Sequence, residues 1–98
     1  MSYLVSVSFD IENASSDQYN QVKEELNDIG FSDTISGNAK VKVKLPDNTF
    51  AGEFEGSSST KIRDDLRKQV KEIFKSLNLK AEIFIHVGGN WAWGSSSP

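Results

Sequence analysis

Residues 3–11 read Tyr3-Leu4-Val5-Ser6-Val7-Ser8-Phe9-Asp10-Ile11, and the rest of the chain is best understood around this segment. Apolar and polar residues alternate along it, with aromatic and β-branched residues on the apolar side. This alternation is typical of a strand covered on one face only. Residues 81–87, which read Ala81-Glu82-Ile83-Phe84-Ile85-His86-Val87, alternate in the same way and predict a second such strand.

Two other segments have the spacing of amphipathic helices. The first follows Ser15, which has capping-box spacing with Gln18, and it ends before Gly30, where a left-handed C-cap is needed. The second leads from Thr60 to Asn78, a plausible C-cap. The apolar stripes expected to be buried are Tyr19, Val22, Leu26 and Ile29 in the first helix, and Ile62, Leu66, Val70, Ile73, Phe74 and Leu77 in the second.

Between the helices, residues 40–45 and 49–55 both alternate, and the turn-forming residues 46–48 separate them. This arrangement predicts a β-hairpin in which Val43 pairs with Phe50. The same pairing places Lys40 opposite Glu53 and puts the lysine-rich strand at the sheet edge. Residues 31–38 give no clear pattern, apart from a turn at 36–38.

The predicted order is strand, helix, two hairpin strands, helix, strand. Right-handed crossovers then place both helices on one face of a four-stranded antiparallel sheet. The sequence therefore predicts an α+β protein with a ferredoxin-like β-α-β-β-α-β sandwich. One domain over residues 1–98 is expected, with an irregular Gly/Ser/Trp tail at 88–98.

Composition narrows the functions that the chain can have. It has no cysteine, which excludes thiolate metal sites and cysteine nucleophiles, and its single histidine excludes multi-histidine metal sites for this chain alone. A net charge of −3 disfavours a strongly electrostatic nucleic-acid binder. The first residues lack the pattern of a signal peptide or membrane span, so we expect a cytoplasmic protein without a membrane partner.

Asp10 is the candidate catalytic and metal-binding residue. It ends the first strand on the polar face, next to Glu12. A carboxylate at such a strand end can hold Mg²⁺, which binds a few carboxylates and several waters. The alternative is an ordinary solvated aspartate.

Lysines are candidates for nucleic-acid binding. Lys40, Lys42 and Lys44 form a basic row on one strand face and could contact phosphates. The alternative role is solubility and protection of a sheet edge.

Five residues are candidates for an interface on the sheet face away from the helices. They are Leu4, Phe84, His86, Trp91 and Trp93. An open sheet face with large apolar residues is commonly covered. Two alternatives exist for the tail: it folds back over its own sheet, or it docks on a second protomer in a homodimer.

Three segments also suggest a family. Leu4-Val-Ser-Val-Ser-Phe-Asp-Ile11 resembles the opening of CRISPR-associated protein two, the small nuclease-like partner of the spacer integrase. Phe50-Ala-Gly-Glu-Phe-Glu-Gly56, with the helix after it, is similar to that family's third strand and second helix. Phe84-Ile-His-Val-Gly-Gly-Asn-Trp-Ala-Trp93 is more similar to the SinR-like proteins and to the VapD and GhoS toxin–antitoxin proteins.

This resemblance implies a ferredoxin-like homodimer in which the Asp10 residues of two protomers can share a metal. Two functions follow as hypotheses. The first is a non-catalytic interaction or regulatory module from a small bacterial or phage family, which needs no cofactor. The alternative is a Mg²⁺-dependent endoribonuclease or deoxyribonuclease, of toxin–antitoxin or CRISPR-associated type, that uses Asp10. A protein or a nucleic acid is the expected partner, and sensing of a small ligand is a third hypothesis.

Overall fold

The structure is a computed structural model, and it describes residues 1–36 and 42–96. The elements within these residues are β1 (Ser2–Ile11), α1 (Ser16–Asp28), β2 (Thr34–Ser36), β3 (Lys42–Lys44), β4 (Thr49–Glu55), α2 (Ser59–Ser76) and β5 (Ala81–Gly88). The predicted α+β class, two helices and antiparallel strand pairing are confirmed. No helix in the described part of the chain is long and apolar enough to cross a membrane.

The main sheet has three strands in the order β4-β1-β5, and β1 pairs antiparallel with both neighbours. Strands β2 and β3 form a separate two-stranded sheet. A single bridge between Ser32 and Ala51 connects the segment before β2 to the edge of β4. The predicted four-stranded sheet is therefore wrong: the described strands form one sheet of three and another of two.

The predicted hairpin between residues 40–45 and 49–55 is also wrong. Val43 pairs with Ile35 of β2, whereas Phe50 pairs with Val7 of β1. Glu53 lies opposite Leu4, and Lys40, its predicted partner, lies outside the described residues. The pairing differs because Ser32 already occupies the other edge of β4: its backbone exchanges two hydrogen bonds of 2.8 Å with Ala51.

Both helices lie where the sequence predicts them, although α2 begins at Ser59 and its C-cap is Leu77, one residue before the predicted Asn78. The Ser15 hydroxyl accepts from the Gln18 amide at 3.2 Å, and the Gln18 side chain accepts from the Ser15 amide at 3.0 Å. These two bonds satisfy amides that the first turn of α1 leaves free. At the other end Gly30 has φ +106°, and after α2 Asn78 has φ +56°. Each reverses the chain in a left-handed conformation that glycine and asparagine tolerate best.

The core lies between the helices and one face of the main sheet. Phe9 is its aromatic centre, with ring centroids 5.8 Å from Phe50 and 5.1 Å from Phe74. Val22 and Leu26 from α1 are fully buried beside it. From α2 the buried residues are Ile62, Leu66, Val70, Ile73 and Phe74. Because one core takes side chains from both helices, the opposite face of the sheet is left for the tail and for β2 and β3.

Candidate interaction face of the sheet

The open face carries the alternate side chains of each strand. Residues paired across strands share a face, so the register defines its composition: Ser6 lies opposite Ala51 on one side and His86 on the other. Leu4 lies two residues before Ser6 on β1. Ser8, two residues after Ser6, pairs with Phe84. Five of these six positions, all except His86, therefore hold a small or apolar residue.

The tail folds back over this face. Trp91 and Trp93 line a cavity of about 350 Å³ together with Leu4 and His86. Ala51 points toward the same side yet is only 7% exposed, which shows how closely this part of the face is covered. In this single chain the tail therefore lies on its own sheet.

Isoleucine and leucine from the smaller sheet complete the cavity. Ile35 of β2 and Leu45, just after β3, line it beside Thr49. We call the cavity lined by the tail, by Leu4, Ser6, Ala51 and His86 of the main sheet, and by Ile35 and Leu45 the tryptophan cavity. It is thus built from three separate parts of the chain.

A turn after β5 directs the tail across the sheet. Gly89 lies against Met1 and Tyr3, so that a Cβ there would lie 3.1 Å from Cε of Met1. Asn90 then takes φ +53°, a left-handed conformation that asparagine adopts more readily than most residues. The sequence predicts turns here, and these two residues supply the reversal that brings Trp91 over Leu4.

Asp33 holds the smaller sheet in place. Its backbone carbonyl accepts from the Leu45 amide at 2.8 Å. Its carboxylate lies 3.1 Å from Nζ of Lys23 in α1 and 3.7 Å from Nζ of Lys44. The bond from Lys23 is the main reason why the pKa of Asp33 lies below its usual 3.8, although partial burial opposes the shift. This carboxylate therefore connects α1 with β3.

Phe84 stands apart from the tryptophan cavity on the same face. It is 68% exposed and lines a shallow cleft of about 300 Å³ with Ser8 and Asp10. The five predicted interface residues therefore share one face, and four of them, all except Phe84, line one cavity.

Asp10 is exposed and lies opposite Glu82 in the register, so two carboxylates meet at this end of the face. Asp47 lines the same cleft from the turn before β4. Within residues 1–36 and 42–96, however, no three His, Cys, Asp or Glu side chains are grouped so that they could hold a metal ion. The role predicted for Asp10 stays a prediction.

Two lysines of the predicted row, Lys42 and Lys44, lie apart from Asp10. Lys42 and Lys44 are exposed on β3, and neither lines the two clefts that contain Asp10. Lys44 already shares Asp33 with Lys23, and Lys40 lies outside the described residues. The structure thus separates Lys42 and Lys44 from the predicted metal ligand.

Sequence reasoning missed Ile35 and Leu45 as parts of the site. Ile35 lies in the segment whose pattern is unclear, although Thr34-Ile35-Ser36 is rich in β-branched residues. Leu45 ends a predicted strand, but its assignment to the wrong partner strand concealed its place beside the tail. The alternation of Lys42-Val43-Lys44-Leu45 was a signal for one apolar side, and pairing with β2 turns that side to Ile35.

Comparison of the chain with protein-family models gives no match, and comparison with curated proteins gives none. The resemblance to CRISPR-associated protein two and to the SinR-like, VapD and GhoS proteins therefore stays a prediction.

Proposed function

We propose that this protein is a non-catalytic interaction module that acts as a homodimer and binds a protein partner at the tryptophan cavity. The observation that carries the proposal is the convergence of Trp91, Trp93, Leu4, Ile35 and Leu45 around one opening. Tryptophan is among the residues that contribute most to binding energy in interfaces.

A protein partner fits this cavity better than a nucleic acid. None of the residues that line it in the described part of the chain is lysine or arginine, whereas nucleic-acid sites are strongly basic. A volume of about 350 Å³ can hold one large apolar side chain. Ser6, Thr49 and His86 add polar groups that can orient the partner.

For the fold, we propose a reduced ferredoxin-like arrangement. The order β1-α1-β4-α2-β5 has the helix crossovers of that fold, and Ser32 pairs with Ala51 at the edge where a fourth strand would lie. In this arrangement a single bridge takes the place of the fourth strand. Strands β2 and β3 lie over the main sheet instead of extending it at its edge.

The experiment is recovery of partner proteins from cells that express the tagged chain, with identification by mass spectrometry and titration of each candidate as a purified protein. The test variant carries Trp91→Ala and Trp93→Ala together. The control is Lys71→Ala, because Lys71 is exposed on α2, on the other side of the sheet. Circular dichroism checks that both variants are folded.

We expect a purified partner to bind wild type and Lys71→Ala equally. We expect it to bind the double variant more weakly by about 30-fold or more, since losing a central aromatic side chain costs about 2 kcal/mol. Equal binding to all three proteins contradicts the proposed cavity. Failure to find any protein that binds the purified chain contradicts the proposed function.

A further inference from the structure

Strand β5 is a free edge of the main sheet. It lies at the end of the order β4-β1-β5, and β1 is its only neighbour among the described strands. Natural proteins usually protect such edges with lysine, proline, bulges or short strands. β5 has eight residues, no lysine and no proline. The strand that carries lysines is β3, with Lys42 and Lys44, and it is only three residues long.

The direction of the unpaired backbone groups follows from one hydrogen bond. The Glu12 amide donates to the Lys80 carbonyl at 3.0 Å, on the register in which β1 meets β5. In an antiparallel ladder the bonded pairs recur every two residues. The even-numbered residues of β5 therefore face β1 with their amides and carbonyls, and Ala81, Ile83, Ile85 and Val87 direct theirs toward the free edge. No hydrogen bond within residues 1–36 and 42–96 reaches these edge groups from another element.

We propose that β5 pairs with β5 of a second copy of this chain, antiparallel, about a twofold axis through Phe84. This inference rests on the homodimer in the proposed function and names the surface that forms it. Phe84 then lies opposite Phe84 of the second copy, and Ile83 lies opposite Ile85. The outward amides and carbonyls of the two strands meet in about eight hydrogen bonds, and two three-stranded sheets become one of six strands.

The side chains favour this register. Backbone direction allows only registers that pair odd-numbered residues with each other. In the register through Phe84, the exposed phenyl rings pack together and Glu82 lies opposite His86 of the second copy on both sides of the axis. A shift by two residues in one direction puts Phe84 opposite Glu82 and Lys80 opposite His86. A shift in the other direction leaves Glu82 opposite Gly88. Aromatic pairs and pairs of complementary polar groups are the favourable ones across strands.

The tail leaves this edge open. Trp91 also lines a hollow with Ile35 and Glu53, which lie on the β4 side of the sheet. The tail therefore crosses the face away from β5. Phe84, at 68% exposure, is the largest apolar side chain beside the free edge. Pairing through β5 covers it without displacing Trp91 or Trp93, so the tryptophan cavity of each copy stays available to a partner.

The test is disulfide formation between two copies of this chain, whose sequence has no cysteine. Cysteines at position 84 meet in a non-hydrogen-bonded pair with Cα atoms about 4.5 Å apart, within the range of a disulfide. Glu82→Cys and His86→Cys are matched controls. Each alone lies roughly 13 Å along the strand from its twin, too far for a bond, but position 82 of one copy lies opposite position 86 of the other.

We expect Phe84→Cys to form a covalent dimer under mild oxidation, the two control variants to stay monomeric separately, and their mixture to give a mixed disulfide. Phe84→Lys should raise the dimer dissociation constant at least about tenfold by placing two charges opposite each other, with circular dichroism unchanged. Sedimentation of the wild type distinguishes a wrong dimer surface from the absence of a dimer. A dimer that does not cross-link at position 84 overturns the β5 surface only, whereas a monomer at high micromolar concentration overturns the homodimer as well. Neither result affects the test of the tryptophan cavity.

Discussion

The carboxylate of Asp33 lies 3.1 Å from Nζ of Lys23 and is the contact through which α1 holds the smaller sheet over the main one. The side chain of Asp33 is 17% exposed, whereas that of Lys23 is 42% exposed. Ile35, which lines the tryptophan cavity, lies two residues later. The ion pair therefore contributes both to stability and to the shape of the tryptophan cavity.

The lowered pKa of Asp33 predicts a specific loss of stability in acid. The folded-state pKa is below the usual 3.8, mainly because of Lys23. The stabilisation is therefore complete above the pKa of the unfolded chain and is lost as the pH falls through the lower folded pKa. We expect the free energy of unfolding, measured in urea from about pH 5 to pH 2, to fall less steeply in Asp33→Asn than in wild type. Asp47→Asn is the control because Asp47 is exposed. Equal slopes for wild type and Asp33→Asn would refute this account.

Gly52 is predicted to tolerate no side chain. A Cβ there would overlap with the carbonyl oxygen of Gly30 and lie 2.9 Å from the Phe54 ring. We expect Gly52→Ala to destabilise the protein by roughly 1–3 kcal/mol, since the C-terminal turn of α1 must move away from β4. Gly94→Ala is the matched control, because nothing lies within 4 Å of that position. Urea midpoints measure both, and a variant at position 52 as stable as the one at position 94 contradicts the close approach.

Truncation of two phenylalanines should change the stability of the protein by very different amounts. Phe74 is 3% exposed and contacts Phe9, whereas Phe84 is 68% exposed. We expect Phe74→Ala to cost about 3–5 kcal/mol of unfolding free energy, through lost transfer energy and a cavity. Phe84→Ala should change it by no more than about 0.5 kcal/mol in dilute solution, where dimer contacts do not contribute. Thermal unfolding followed by circular dichroism checks both. A loss of stability in Phe84→Ala similar to that in Phe74→Ala would mean that the open face belongs to the core.

These residues also show which parts of the structure could be predicted. The helices and β1 follow from local chemistry: a cap at Ser15, a left-handed Gly30, and a period of two along residues 3–11. Such signals act within a few residues of one another. The face on which Leu4, His86 and Phe84 lie follows from the same period, and so it was predicted with the strands.

Strand pairing could not be predicted in the same way. Alternation indicates which side chains of a strand share a face, but it does not indicate which other strand pairs with it. Val43 opposite Phe50 satisfies the pattern as well as Val43 opposite Ile35 does. The choice depends on the Ser32 bridge to Ala51 and on Asp33, whose contacts reach Lys23 and Leu45. Those contacts exist only once the chain is folded, so the part of the cavity made by Ile35 and Leu45 was missed.

We expect no nuclease activity, because the proposed function is non-catalytic. Asp10 has Glu82 opposite it but no third acidic or histidine ligand grouped with it in the described residues, and the lysines of β3 lie elsewhere. Pairing through β5 would also place the two Asp10 side chains of a dimer about 20 Å apart, too far to share one Mg²⁺. We therefore expect labelled single-stranded RNA and double-stranded DNA to stay intact with wild type and with Asp10→Asn, with and without Mg²⁺. Cleavage that requires Mg²⁺ and is lost in a folded Asp10→Asn variant would instead establish the nuclease hypothesis.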